Sequence, residues 1–101
     1  MQDVPLTVAA ILRYASTVHW DRTVTTATGD GYRHATYREV GKQAARLAHA
    51  LRRLGIEGDD RVATFMWNNQ EHLEAYVAVP SMGAVLRTLN IRLFPEQIEF
   101  V

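Results

Sequence analysis

The sequence has no cysteine, which excludes a disulfide framework, a thiolate zinc site and a thiol nucleophile. Neither sign of charge is in excess, because 11 Lys and Arg balance 11 Asp and Glu. No overall field therefore recruits nucleic acid, an anionic membrane or an acidic substrate. No apolar run approaches the roughly 20 residues of a membrane span. Since no basic segment followed by an apolar core occurs near Met1, we expect a cytoplasmic protein with no transmembrane segment.

A strand–helix–strand pattern in the middle of the chain organises the rest. Arg61–Trp67 is a nearly continuous apolar run, typical of a strand covered by helices on both faces. Asn68 is the predicted N-cap of a following helix, with Glu71 as its capping-box partner. Gly83 ends that helix, and Ala84–Leu89 returns to strand-like residues. The pattern predicts an α/β fold in which a right-handed crossover joins two parallel strands.

A β-hairpin is predicted earlier in the chain. Val24–Thr28 and Tyr32–Thr36 are β-prone, and Gly29-Asp30-Gly31 between them can supply the positive φ angles of a tight turn. A Gly-x-Gly could instead belong to a phosphate loop. A dinucleotide-binding loop needs a third glycine and a helix directly after it, whereas a strand follows here. The hairpin is therefore the favoured interpretation.

Two helices flank the hairpin. Leu6–Thr17 has apolar residues at helical spacing, with Asp3 or Thr7 available as its cap. Thr36 and Glu39 form a capping box for a second, longer helix. Its apolar stripe comprises Val40, Ala44, Leu47, Leu51 and Leu54. Pro80, inside the crossover helix, predicts a kink or an early helix end.

Several polar groups invite functional hypotheses. The long helix carries a basic stripe, which consists of Arg38, Lys42, Arg46 and Arg53. These side chains could bind phosphates. A solvated face is favoured because no aromatic residues interleave with the charges. Adjacent Asp59 and Asp60 could bind a metal, but a turn role is favoured. The histidines show no metal-binding spacing, so surface positions or satisfied polar roles are expected for all of them; they are His19, His34, His49 and His72.

The other candidates are weaker still. Ser16 and Ser81 lack the context of a strained nucleophile turn. Arg87 is a charged residue inside the second predicted strand, where an edge position is favoured over a site role. The sequence therefore predicts no catalytic, no cofactor-binding and no metal-binding residue.

Short motifs occur in the same order and at the same separations as in one enzyme family. They are Thr36-Tyr37-Arg38-Glu39-Val40, Ala44-x-x-Leu47-Ala48-x-x-Leu51-x-x-Leu54-Gly55, Gly58-Asp59-x-Arg61-Val62-Ala63, Asn69-x-x-His72-Leu73-Glu74-Ala75-Tyr76, Gly83-Ala84-Val85 and Leu89-Asn90-x-Arg92-Leu93. Each motif is weak alone. Together they make the chain resemble the start of adenylate-forming acyl-CoA synthetases, most closely the medium- and long-chain fatty-acid–CoA ligases. Two positions depart from the family pattern: Ile91 replaces a common Pro, and Arg87 replaces a common His.

The resemblance implies a reaction and its cofactors. Such enzymes use ATP and Mg²⁺ to convert a carboxylic acid, here a fatty acid, to an acyl-adenylate, and then transfer the acyl group to coenzyme A. Residues 1–101 match the N-terminal segment of the large AMP-binding domain. The family's Pro-Lys-Gly phosphate loop, adenine site, ribose-binding Asp and small C-terminal domain are absent from the sequence.

We therefore expect a scaffold segment that is inactive alone. Its partner is the remainder of its own large domain. The family also makes a homodimer plausible, in which a second copy is a further partner. The predicted helix after Leu93-Phe94-Pro95 has hardly begun when the sequence stops at Val101, which suggests a cut chain. The alternative is a stand-alone α/β binding or interaction module built on the same scaffold. The acyl chain length of the substrate cannot be read from these residues.

Overall fold

The computed structural model describes residues 6–101 as an α/β arrangement, which confirms the predicted fold class. β1 and β2 form an antiparallel hairpin, whereas β3 and β4 are parallel. In chain order the elements are α1 (Val8–Thr17), β1 (Thr23–Thr28), β2 (Gly31–Thr36), α2 (Tyr37–Arg53), β3 (Arg61–Thr64), α3 (Gln70–Ser81), β4 (Val85–Thr88) and α4 (Pro95–Phe100). No helix in residues 6–101 is both long and apolar enough to cross a membrane.

Thr7 caps α1, because its side chain accepts a hydrogen bond from the backbone N–H of Ala10 at 3.1 Å. Asp3, the other candidate cap, lies outside the described residues. The capping box of α2 is confirmed, with Thr36 and Glu39 each accepting a backbone N–H at 3.2 Å. Both helices therefore begin where their local sequence predicts.

The hairpin is confirmed, but its turn differs from the prediction. Thr28 pairs with Gly31, so the turn consists of Gly29 and Asp30. Neither Gly29 nor Gly31 has a left-handed φ. In residues 6–101 that conformation occurs at Gly55, Gly83 and Asp59. The Thr28 hydroxyl donates to the Asp30 carboxylate at 3.3 Å, which is a local side-chain contact within the turn. The prediction of positive φ angles here was wrong.

α2 ends in a Schellman motif around Gly55, which has a φ of 95°. The N–H of Gly55 donates to Arg52 at 3.0 Å, and that of Ile56 donates to Leu51 at 3.1 Å. Leu54, predicted to close the apolar stripe of α2, is 79% exposed. It is the residue at which the chain leaves the helix, so its side chain lies beyond the packed stripe.

β3 is shorter than the predicted strand and ends at Thr64. Thr64 pairs with Thr88, the last residue of β4, and its carbonyl accepts the N–H of Leu89 at 2.8 Å. Beyond that bond, Phe65–Trp67 has no β4 residue to pair with and lies outside the strand, although its residue types led to the prediction of a strand. β4 is likewise shorter than the predicted Ala84–Leu89.

The N-cap of α3 is Asn69, one residue later than the predicted Asn68. Its side-chain oxygen accepts the backbone N–H of His72 at 2.9 Å. Glu71 is thereby moved out of the capping-box position, and its carboxylate instead pairs with Arg33 of β2. The sequence offers two consecutive asparagines as caps, and the hydrogen bond to His72 shows that the second is used.

α3 ends at Ser81, one residue after Pro80. Gly83 has a φ of 85°, which confirms that the chain leaves this helix through a left-handed conformation. The N–H of Gly83 donates to Pro80 at 3.1 Å, and that of Ala84 donates to Val79 at 3.2 Å, which makes a second Schellman motif. Pro80 therefore lies in the last turn of the helix.

The core lies where α3 packs against α1, α2 and one face of the parallel pair, and it is built from small side chains. The largest fully buried side chain is Val79. The buried hydrophobic residues are Ala35, Val40, Ala44, Ala75, Ala78, Val79 and Ala84. Val62, Thr64 and Met66 face the helices across a groove, and they alternate with residues on the opposite side of the strands. That opposite side, here called the open face, comprises Ala63, Phe65, Trp67 and Val85.

Candidate functional site at the carboxyl edge of the parallel strands

The basic stripe of α2 lies on the surface. All four of its side chains, Arg38, Lys42, Arg46 and Arg53, are exposed. Within residues 6–101 none of them forms an ion pair. The exposure of these four side chains agrees with the solvated-face interpretation.

Asp59 and Asp60 build the turn that leads into β3. Asp59 has a φ of 68°, and its N–H donates to the carbonyl of Gly83 at 2.9 Å. The Asp60 carboxylate accepts the N–H of Glu57 at 2.7 Å. These contacts tie the start of β3 to the end of α3. Within the part of the chain that the structure describes, no group of three His, Asp or Glu side chains could hold a metal ion.

One of the four histidines differs from the others. His19, His34 and His49 are exposed, whereas His72 is 5% exposed on the first turn of α3. Its Nε2 lies 2.9 Å from the Thr64 hydroxyl at the end of β3. Its Nδ1 is buried and has no hydrogen-bond partner among the described residues. Such a half-satisfied buried group is uncommon in folded proteins.

The expectation that every histidine is on the surface or satisfied was therefore wrong for His72. A signal was present in the sequence, because His72 precedes Ala75 and Val79 by three and seven residues. Those spacings put all three on one helix face. Ala75 and Val79 are buried on that face, and His72 is therefore buried with them. Its ring also packs against Tyr76, with ring centroids 4.9 Å apart.

His72 lines a pocket of about 270 Å³ at the carboxyl ends of β3 and β4. In sheets of parallel strands this edge is where ligands bind. Three parts of the chain build the pocket: the segment after β3, one side of α3, and the segment after β4. The lining residues are Met66, Trp67, Asn68, His72, Tyr76, Thr88, Leu89, Asn90, Ile91 and Arg92. We call it the carboxyl-edge pocket.

Two contacts between the hairpin and α3 hold this helix in place. Arg33 of β2 makes a bidentate ion pair with Glu71, with Nη2 and Oε2 2.7 Å apart. Thr26 of β1 accepts the backbone N–H of Gln70 at 3.1 Å. The hydrogen bond from Arg33 lowers the pKa of the Glu71 carboxyl and in turn raises the pKa of Arg33. The start of α3, which carries His72, is thus fixed to a second sheet.

The remaining candidates show no reactive arrangement. Ser16 donates to the carbonyl of Arg13 at 3.3 Å. The Ser81 hydroxyl is buried and unpaired among the described residues, so no base activates it there. Arg87 is exposed and pairs in register with Ala63 on the open face, consistent with the edge interpretation.

The chain is an α/β protein in which helices cover one side of a pair of parallel strands. Within that class, the family model described as "AMP-binding enzyme" matches residues 12–101. The chain belongs to the AMP-binding enzyme family, as its motifs predicted.

Two relatives of this chain are fatty-acid–CoA ligases. A long-chain-fatty-acid–CoA ligase of Thermus thermophilus is 53% identical over 74 residues, which is 73% of this chain and 14% of the relative. A medium-chain-fatty-acid–CoA ligase of Ectopseudomonas oleovorans is 39% identical over 97 residues, covering 95% of this chain and 18% of the relative. The chain thus spans less than a fifth of the length of these relatives.

Solved structures give the same result. A putative long-chain-fatty-acid CoA ligase from Rhodopseudomonas palustris superposes with a TM-score of 0.83 at 35% identity, covering 94% of this chain and 23% of that one. A Mycobacterium tuberculosis fatty acyl CoA synthetase gives a TM-score of 0.83 at 29% identity, covering 93% of this chain and 18% of that one. The arrangement of strands and helices in this chain is therefore that of the family.

Proposed function

We propose that residues 1–101 form the N-terminal segment of the large domain of an ATP-dependent acyl-CoA ligase that acts on fatty acids. The observation that carries this proposal is the 53% identity over 74 residues to a long-chain-fatty-acid–CoA ligase. In the proposed reaction the carboxylic acid is first joined to AMP with loss of pyrophosphate, and the acyl group then passes to the thiol of coenzyme A.

The proposed role of this segment is scaffolding rather than chemistry. Its cavities are lined by helix faces and strand ends, and its one ion pair in residues 6–101, between Arg33 and Glu71, joins two structural elements. We propose that it contains no catalytic, cofactor-binding or metal-binding residue for ATP, Mg²⁺ or coenzyme A. The cytoplasmic location and the homodimer stay predictions.

The residues present do not fit the cofactors that the family implies. The Gly29–Gly31 segment turns between antiparallel strands, whereas a phosphate cradle presents several backbone N–H groups to the anion, often at the start of a helix. Mg²⁺ favours carboxylate ligands together with substrate phosphates. Asp60 already accepts the N–H of Glu57, and Glu71 is paired with Arg33. We therefore assign no step of the reaction to these side chains.

The proposal is tested with the protein in its natural full length. Purified protein, ATP, Mg²⁺ and coenzyme A are incubated with fatty acids of increasing chain length, and acyl-CoA is quantified by mass spectrometry. We expect thioester formation that depends on all four components. Absence of product with every acid, by protein that is folded and binds ATP, would contradict the proposal, and the acid that reacts fastest would identify the substrate class.

The alternative, a stand-alone binding module, is favoured by one observation, the exposed aromatic side chains Phe65 and Trp67 on the open face. Such apolar exposure can mark a contact surface for another protein. The two functions predict different coding sequence downstream of Val101 in the gene. A reading frame that continues into a Ser/Thr/Gly-rich loop ending in Pro-Lys-Gly supports the ligase, whereas a stop codon there supports the module.

A further inference from the structure

We propose that the free edge of β3, the edge that faces away from β4, pairs with one further β-strand from the remainder of the same protein. The inference rests on the proposed function, because it takes residues 1–101 as one part of a larger domain. The added strand is a continuous apolar segment without proline, about as long as β3, which has four residues.

The first argument is the unpaired backbone of β3. The Thr64 carbonyl accepts the N–H of Leu89 at 2.8 Å, so the backbone groups of Thr64 point toward β4. Backbone groups of successive strand residues point to opposite edges, and those of Ala63 therefore point to the free edge. Within residues 6–101 β3 pairs with no strand other than β4. An edge of this kind is a template for another strand.

The second argument is an apolar groove of about 530 Å³ beside this edge. It is lined by α2, α3 and the helix-facing side chains of β3, and its apolar lining includes Leu47, Leu51, Val62 and Met66. Among the described residues the lining contains none from β4 or from the hairpin, so the groove lies on the β3 side of the strand pair. A strand added to the free edge would direct every second side chain into this groove.

The third argument concerns the other side chains of the added strand. They would lie on the open face, beside Ala63 and the exposed ring of Phe65. Both the groove and the open face are apolar, so both sets of side chains should be apolar. Such a strand is typical of a parallel sheet that is covered on both faces. The two surfaces together thus specify a continuous apolar segment rather than an alternating one.

The source of the strand follows from the extent of the chain and from sterics. The chain covers 14% and 18% of the two ligases described above, so in a protein of that kind the strand can come from the same polypeptide. A second copy fits poorly. Two identical edges related by a twofold axis pair antiparallel, with the helices of both copies on the same side. Strands are about 4.8 Å apart and a helix is about 10 Å wide, so α2 of each copy would collide with a helix of the other.

The first test measures backbone amide exchange in the protein in its natural full length, by mass spectrometry with residue resolution. We expect the Ala63 N–H to exchange at least about a hundredfold more slowly than in a short peptide. It should be protected as well as the N–H of Thr64, which points to β4 and is the control within the same strand. Peptide-like exchange at Ala63 beside a protected Thr64 would overturn the proposal.

The second test probes the groove. Ala50 lines it and is exposed in residues 6–101. Ala50→Glu should lower the melting temperature of the full-length protein, because a carboxylate is unfavourable among the apolar side chains of the added strand. Glutamate is a good helix former, so helix propensity is not the cause. His49→Glu is the matched control, since His49 is exposed and outside the groove. Equal melting temperatures for the two variants would contradict a filled groove.

Two further measurements on the same protein separate the alternatives. Amide exchange is repeated after dilution to the monomer, and protection of Ala63 that disappears there would assign the strand to a second copy and overturn the proposal. Fatty-acid-dependent acyl-CoA formation is measured in parallel. An active ligase with an unprotected Ala63 would contradict only the added strand, whereas an inactive protein with a protected Ala63 would contradict only the proposed function.

Discussion

The two faces of the parallel strand pair differ in what covers them. On the helix face, Val62 and Thr64 are half-buried and face α2 and α3 across a groove, and Val79 of α3 is 1% exposed. On the open face, Phe65 is 56%, Trp67 68% and Val85 48% exposed. Parallel sheets are normally covered on both faces. We propose that the open face is a contact surface, which in the proposed ligase is covered by the remainder of the enzyme and in the alternative module by another protein.

The same substitution should change the stability of the chain very differently on the two faces. Val79→Asp places a carboxylate in the closed core and should lower the free energy of unfolding by about 4 kcal/mol. Val85→Asp places it in solvent on the open face and should change the free energy of unfolding by no more than about 1 kcal/mol. Urea denaturation of both variants of the 101-residue chain measures the difference. Equal losses would show that the faces are not distinct.

Association should reveal the open face directly. Contiguous exposed apolar side chains and unpaired strand edges favour self-association. We expect the isolated 101-residue chain to associate in sedimentation velocity, and Phe65→Lys with Trp67→Lys to shift it toward the monomer. Leu54→Lys is the matched control, because Leu54 is 79% exposed but lies at the end of α2, away from this face. Association that responds equally to the control would place the contact elsewhere.

A smaller loss of stability is expected from a substitution at Gly83, between α3 and β4. Gly83→Ala should lower the free energy of unfolding by about 1 kcal/mol or more, because φ is 85° there. Steric crowding is not the cause, since an added Cβ would meet Gly58 Cα at 3.9 Å, an ordinary contact. Gly58→Ala is the control, as its backbone is not left-handed and its Cβ would meet nothing within 4 Å. A Gly83→Ala protein as stable as that control would contradict the argument.

The smallest effect concerns the ion pair between the hairpin and α3. The pKa of Glu71 is lowered in the folded chain by its hydrogen bond from Arg33, so the pair stabilises the fold above the unfolded pKa of a glutamate. That contribution is lost as the pH falls through the lowered folded pKa. Glu71→Gln should therefore reduce stability slightly at neutral pH and not in strong acid, and salt should diminish the difference. Thermal melts at several pH values check this, and a difference that grows in acid would be inconsistent with the assigned shift.

The features that sequence predicted well are those decided within a few residues. The Thr36–Glu39 capping box and the exit of the chain at Gly83 depend on neighbours along the chain, and the structure confirms both. The misses depend on distant partners. β3 stops at Thr64 because β4 ends opposite it, and Glu71 leaves its cap to pair with a residue 38 positions away. The role of His72 required knowing that its helix face is buried against the strand that carries Thr64.

We propose that these residues are scaffold and that the groups that carry out the reaction lie outside them. The most direct measurement is fatty-acid-dependent exchange of labelled pyrophosphate into ATP, because it reports acyl-adenylate formation alone. It is made in parallel on the protein in its natural full length and on the 101-residue chain, at equal concentration with Mg²⁺. We expect exchange by the full-length protein and none by the 101-residue chain. Acid-dependent exchange by the 101-residue chain would show instead that a catalytic site lies among these residues.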